Sequence, residues 1–223
     1  ADLSGLTQAS LNIVVHDELG GGAARLLAET CGMPCIAPLP PYGRAGTRKW
    51  LAEIGRVLPA PRADAAEEEI TRVTREDFLR INECKSLWGE LRYETALIRA
   101  PRSTAWGIAQ ALRTEWADVC HLAVAADAEG VPTAAPIADE ILGETDAVRI
   151  RELLNGLDGG LLIGSSNESA HINPRTAAYF PAAYPVQDTL HLSDAPFMGL
   201  RGARHIEETL WNDCILRRKI LLP

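Results

Sequence analysis

Residues 11–57, LNIVVHDELGGGAARLLAETCGMPCIAPLPPYGRAGTRKWLAEIGRV, constrain the fold of this chain more than any other stretch. Leu11 to Val15 is apolar enough for a short buried strand. His16 and a polar turn ending in Gly20–Gly22 follow, and Ala23 to Cys31 has an amphipathic helical pattern. Met33 to Pro38 is a second extended piece. A loop rich in proline and glycine then leads to a helix opening at Gly46-Thr47, with Thr47 as its N-cap and Trp50, Leu51, Ile54 and Val57 as its apolar stripe. Strand, turn, helix, strand, loop, helix is the pattern of a parallel sheet, which binds ligands at the carboxyl ends of its strands. His16 stands at such an end.

The rest of the chain repeats this pattern. Leu58 to Ala66 reads as a linker, and Glu67 to Leu91 as a long helix with Ile70, Val73, Phe78 and Ile81 on its apolar side. Tyr93 to Ala100 is strand-like and is stopped by Pro101. Ser103 is a plausible N-cap for a helix that buries Trp106, Ala109, Leu112 and Trp116. Val119 to Ala126 is apolar enough to be covered on both faces. A helix over Asp146 to Leu157, a buried strand over Gly160 to Gly164 and a tail helix over Ala203 to Cys214 complete the series. The order predicts an α/β fold of Rossmann-like parallel sheets with helices on both faces. Residues 1–60 would end one unit, 61–92 would connect, and 93–223 would form a second, complete unit. So little chain precedes the first strand that the sequence reads as the C-terminal part of something longer.

Composition limits the function classes. The chain has 223 residues and a net charge of −8, without a lysine/arginine block. Nucleic acid and anionic membranes are therefore poor partners, and no apolar run is long enough to span a bilayer. The five cysteines are odd in number and scattered, which argues for a reducing, cytoplasmic setting rather than a disulfide framework. Cys31 and Cys35 are expected to be buried structural thiols.

Several segments can carry chemistry. Gly20–Gly22 at a helix N-terminus could meet an anion, but Asp17 and Glu18 would repel one, and close strand–helix packing explains the glycines as well. His16 can be a ligand, a proton donor or a satisfied polar residue. Arg44 and Arg48 would favour an acidic group or simply be solvated. Ser165, Ser166 and Asn167 fall at a strand end with Glu168 and His171 close behind. A Ser/His/Glu hydrolase is disfavoured, because the small-x-Ser-x-small elbow is absent. The long loop from Asp188 to Gly202 offers His191 as its best candidate.

Taken together, LNIV, the following GMP, the loop PLPPYGRAGTRKWL and the late FP…D…H…PFMGLRG…LWN resemble component 1 of nitrogenase and its relatives. These include the catalytic subunits of dark-operative protochlorophyllide reductase and chlorophyllide reductase, and the scaffolds that mature the nitrogenase cofactor. Ala37 to Leu51 is most similar to the protochlorophyllide-reductase type. The resemblance implies a subunit of three Rossmann-like domains, of which this chain supplies the end of the second and all of the third.

It also implies a function. Such a subunit pairs with a homologous component 1 subunit, receives electrons from an ATP-dependent iron–sulfur reductase, and holds a substrate or metallocofactor between its domains. The alternative is a non-catalytic scaffold for cofactor assembly. In the molybdenum enzyme the cofactor-binding cysteine follows an LNLV-like strand, and the corresponding place here holds His16. The family's cofactor-binding histidine lies near His191. The expected catalytic residues are thus His16 and His191, and the expected cofactor-binding residues are His16, Ser165, Ser166, Asn167 and His191, with metal ligands left open. No cofactor is expected on this chain alone, which would be inactive by itself. An iron–sulfur cluster or tetrapyrrole-like ligand belongs to the full complex.

Overall fold

The computed structural model describes residues 8–58, 63–126, 137–143, 145–190 and 194–220. Two parallel sheets organise it. The smaller pairs β1 (Asn12–Ile13) with β2 (Cys35–Ile36), connected by α1 (Asp17–Cys31). After β2 come α2 (Gly43–Val57) and the long α3 (Ala63–Trp88).

The larger sheet contains β3 (Arg92–Arg99), β4 (Asp118–Ala125), β5 (Glu140–Leu142), β6 (Leu161–Gly164) and β7 (Ala178–Pro181). All are parallel, in the order β5-β4-β3-β6-β7. The strand order therefore reverses between β3 and β6, where open α/β sheets form their ligand crevice. The helices among these strands are α4 (Arg102–Ala111), α5 (Ala147–Asn155), the single turn α6 (Ser166–Ser169) and α7 (Gly199–Ile220).

Alternation along the strands divides the core into two layers. Ala96, Ile98, Leu122, Val124, Leu161 and Ile163 face one side, under Trp106, Leu112 and Trp116 and the α7 residues Ile206, Leu210 and Trp211. Leu97, Ala123, Ala125 and Leu162 face the other, under Ile150, Leu153 and Leu154 of α5. Helices thus cover both faces, as the sequence predicts.

Several local expectations are corrected. Gly20–Gly22 do not form a turn: α1 begins at Asp17, and Gly20 already donates to the His16 carbonyl at 2.9 Å. α2 likewise starts at Gly43 rather than at Thr47, whose hydroxyl bonds the Gly43 carbonyl at 2.6 Å from within the helix. The cap comes from elsewhere. Ala111 leads into a π-helical turn, Leu112–Trp116, which keeps Leu112 and Trp116 buried while aiming Glu115 at the start of α2. The Glu115 carboxylate accepts from the backbone N–H groups of Arg44 (2.9 Å) and Ala45 (3.1 Å). Gly43 is required there, since its φ is +72° and a Cβ would lie 2.1 Å from Glu115 Oε1. Of the expected stripe, Leu51 and Val57 are exposed and Trp50 and Ile54 are half-buried, while Gly43, Arg44 and Thr47 are the residues α2 buries fully.

In α3, Ile70 and Val73 are buried but Phe78 is 61% exposed, and Asp77 takes the inward position. Two arginines make that inward carboxylate tolerable. Arg44 Nη2 lies 2.5 Å and Arg204 Nε 2.8 Å from it. Arg44 also pairs with Glu207 of α7 (2.7 Å) and Glu115 (3.4 Å), so one buried guanidinium ties α2 to α3, α7 and the π turn. Arg48, by contrast, makes an exposed pair with Glu67. Cys31 is exposed at the open end of α1 and Cys35 is half-buried, so the expected pair of buried thiols is not formed.

The late PFMGLRG segment serves packing. Gly199 opens α7 and donates to the Pro41 carbonyl at 2.8 Å. A Cβ on Gly202 would come within 2.3 Å of the Phe197 carbonyl carbon.

Candidate functional site

The strand-order reversal creates a cavity of about 500 Å³, within the range of roughly 300–1,000 Å³ that holds small organic ligands. Its floor comes from the carboxyl ends of β3, β4 and β6, through Arg99, Ala125 and Ser165, and Asn167 and Tyr184 line it as well. Glu18 of α1, the helix joining the strands of the smaller sheet, lines it too. The cavity is therefore shared between the two sheets.

The junction is polar, and a chain of hydrogen bonds links its two sides. Glu18 Oε1 accepts from the Ser103 N–H (3.0 Å) and the Ser103 hydroxyl (2.7 Å). Ser103 Oγ lies 2.7 Å from His16 Nδ1, and Arg102 pairs with Asp17 at 3.0 Å. Ser103 is thus not the N-cap of α4, a position held by Pro101. It lies in the first turn, and the Glu18 carboxylate satisfies its N–H where a phosphate would sit in a nucleotide-binding Rossmann unit. Burial pushes the Glu18 carboxyl up, but bonds from its own backbone N–H and from Ser103, with the charge of His16, bring it below its ordinary value.

The turn after β6 is built by a capping box. Glu168 Oε2 accepts from the Ser165 N–H (2.9 Å) and hydroxyl (2.5 Å), and Ser165 Oγ accepts from Asn167 N–H at 3.2 Å. Glu168 Oε1 pairs with Arg99 at 2.9 Å. Ser166 donates to Asp188 and accepts from Gln187 N–H, each at 2.7 Å. Ser169 also bonds Asp188. These bonds from Ser169 and Ser166 hold the Asp188 carboxyl below its ordinary range despite some burial. The hydroxyls of Ser165 and Ser166 are accordingly committed to the turn itself. Asn167 is exposed and lines the cavity, and no described residue bonds its side-chain amide. His171 is exposed and stays outside the Ser165–Glu168 pair.

Of the residues singled out from sequence, Ser165 and Asn167 line the cavity, while Ser166 braces the turn behind them. His16 is not among the lining residues, but it is joined through Ser103 to Glu18, which is. His191 lies outside the described residues. Glu18, Arg99, Arg102 and Ser103 were missed. Their signal was position, since all directly follow the parallel strands β1 and β3 or end them.

The chain matches the profile of the nitrogenase component 1 type oxidoreductases over residues 1–215. It belongs to that family. A light-independent protochlorophyllide reductase subunit of Synechococcus sp. (strain JA-2-3B'a(2-13)) is 25% identical over 232 residues, covering 96% of this chain and 43% of the relative. The equivalent subunit of Gloeobacter violaceus (strain ATCC 29082 / PCC 7421) is also 25% identical, over 235 residues, covering 96% and 44%. That of Prosthecochloris aestuarii (strain DSM 271 / SK 413) reaches 43% identity over 53 residues, which are 24% of this chain and 10% of the relative. The structure of nitrogenase Cp1 at pH 6.5 shares the fold, with a TM-score of 0.75, 14% identity and coverage of 98% of this chain and 48% of that one. This member of the component 1 family thus spans less than half the length of the first two relatives.

The donors of this component 1 chain do not fit an iron–sulfur cluster, which needs converging thiolates. Its cysteines are spread over α1, β2, α3, β4 and α7. Among the described residues no group of three or more His, Cys, Asp or Glu side chains could hold a metal ion. No helix of the described residues is long and apolar enough to cross a membrane.

Proposed function

We propose that this chain is the C-terminal portion of a nitrogenase-like oxidoreductase subunit that holds an organic substrate between two Rossmann-like units. Residues 1–60 end the first unit, 61–92 connect, and 93–223 form the second. A homologous component 1 subunit completes the site, and an ATP-dependent iron–sulfur reductase supplies electrons in the cytoplasm. The observation that carries this reading is the shared cavity: Glu18, on the helix that joins β1 to β2, lines the crevice at the strand ends of the larger sheet. A cavity with alanine and isoleucine walls and Arg99, Arg102 and Asn167 at its rim suits a ligand with an apolar face and a polar or anionic edge, such as a tetrapyrrole-like molecule. In this reading the arginines orient the anionic edge, Asn167 bonds a polar group, and His16 and His191 handle protons at the reacting side.

The test uses the full-length gene product, co-purified anaerobically with its partner subunit. Protochlorophyllide and the iron–sulfur protein of a light-independent protochlorophyllide reductase are the probes. ATP-dependent consumption of the pigment, lost on Asn167→Leu, is the expected result. Tight binding without turnover overturns the reductase reading in favour of the scaffold, and absence of binding overturns both.

A further inference from the structure

We infer that Ser103 and Glu18 are positioning residues that lock His16 in its Nδ1–H tautomer, so that Nε2 keeps its lone pair. This rests on the reading of His16 as a residue of the substrate-holding site.

The argument is proton bookkeeping. A 2.7 Å contact joins Ser103 Oγ to Glu18 Oε1, and another 2.7 Å contact joins it to His16 Nδ1. A hydroxyl carries one proton, and an ionised carboxylate only accepts. Glu18 also accepts from the Ser103 N–H at 3.0 Å, at the first turn of α4 where the helix favours negative charge. The hydroxyl proton therefore points to Glu18. The His16 contact must then run the other way, with Nδ1–H donating to Ser103 Oγ. No described residue bonds Nε2.

The rigidity of the arrangement supports this. Ser103 is only 8% exposed, and its N–H and hydroxyl both bond the same carboxylate oxygen, so the hydroxyl has little freedom to turn. Histidines that bind metals or move protons are commonly fixed this way, the second nitrogen being held by a hydrogen-bonded neighbour. The consequence is specific: neutral His16 accepts a proton at Nε2. It can donate a proton from Nε2 only after becoming imidazolium.

The experiment reads the tautomer directly. Long-range proton–nitrogen correlation spectra of the ¹⁵N-labelled chain, with His16→Gln to assign the signal, should show Nδ1 protonated and Nε2 bare in the neutral ring. Ser103→Ala should abolish that preference and Ser103→Thr should keep it, with amide spectra confirming that both variants fold. Glu18→Gln, which removes the obligatory acceptor, should also weaken it. A wild-type ring protonated at Nε2 overturns the inference, as does an Nδ1–H ring that survives both Ser103→Ala and Glu18→Gln. In the active complex, Ser103→Ala should lower kcat about 10- to 100-fold with KM little changed, and Ser103→Thr should restore it. The spectra need neither substrate nor reductase. The expected tautomer without turnover therefore refutes the functional reading alone, and turnover with the opposite tautomer refutes the inference alone.

Discussion

Replacing Arg44 by methionine tests the ionic junction between the two halves of the chain. The Arg44 side chain is 8% exposed, and its partners Asp77, Glu115 and Glu207 are 8%, 14% and 6% exposed. After the substitution Asp77 keeps Arg204, and Glu115 keeps the backbone N–H groups of α2. Glu207 loses the cation that holds it. Burial already pushes the Glu207 carboxyl up, with Glu115 and Asp77 adding to the push and Arg44 opposing it. A raised carboxyl contributes stability that is full below its unfolded value and is lost as pH rises through the folded one. Removing Arg44 raises it further, so the damage grows with pH.

Protonation is the escape route, and it sets the ceiling. Starting from the ordinary glutamate value of 4.5, at about 1.4 kcal/mol per pH unit, the loss from Glu207 is capped at about 4 kcal/mol near pH 7.5 and about 2 kcal/mol near pH 6. The upper figure agrees with the roughly 3–5 kcal/mol typical of breaking a buried ion pair. Urea unfolding followed by tryptophan fluorescence reads it, because Trp106, Trp116 and Trp211 are buried. A loss equal at both pH values, or below about 1 kcal/mol near pH 7.5, refutes the reasoning.

Gly43→Ala should cost about 2–4 kcal/mol in urea unfolding, combining a strained left-handed residue with displacement of Glu115. Pairing it with Glu115→Ala should give less than the sum of the two losses. Glu168→Gln keeps the shape of the capping box but discharges the partner of Arg99, and should cost about 1–3 kcal/mol. A double-mutant cycle with Arg99→Gln should show that this loss is shared between the two residues. Aromatic disulfide reagents should label Cys31 and Cys120 first in the folded chain, since both are exposed and the other three thiols are half-buried. Burial further slows Cys214 by pushing its thiol up, and Cys31→Ser with Cys120→Ser should remove the fast phase.

The fold was legible wherever periodicity carried the signal. β3, β4, β6 and the Trp106–Trp116 stripe lie where apolar spacing put them. β5 and β7, with three and four residues, were not singled out because neither shows a pattern of its own and the sheet alone makes them strands. The helix starts failed for a related reason. α2 is capped by Glu115, a carboxylate 71 residues away, which no local cap rule detects. Asp77 sits inside because Arg44 and Arg204 meet it, so a stripe drawn from hydrophobicity alone slid by one residue to Phe78. Within the candidate site, the Ser165 turn and His16 were visible as strand ends. Glu18 and Ser103 were not, because their role exists only once the two sheets face each other.

The Arg44 junction also bears on how the molecule is assembled. Arg204 lies 127 residues beyond Asp77 in the chain, so α2 and α3 are made well before α7 can cover them. An apolar seam left open for that interval would invite aggregation, as exposed hydrophobic surface does in partly folded chains. Arg44 of α2 and Asp77 of α3 instead leave a charged surface that water solvates well until α7 arrives with Glu207 and Arg204.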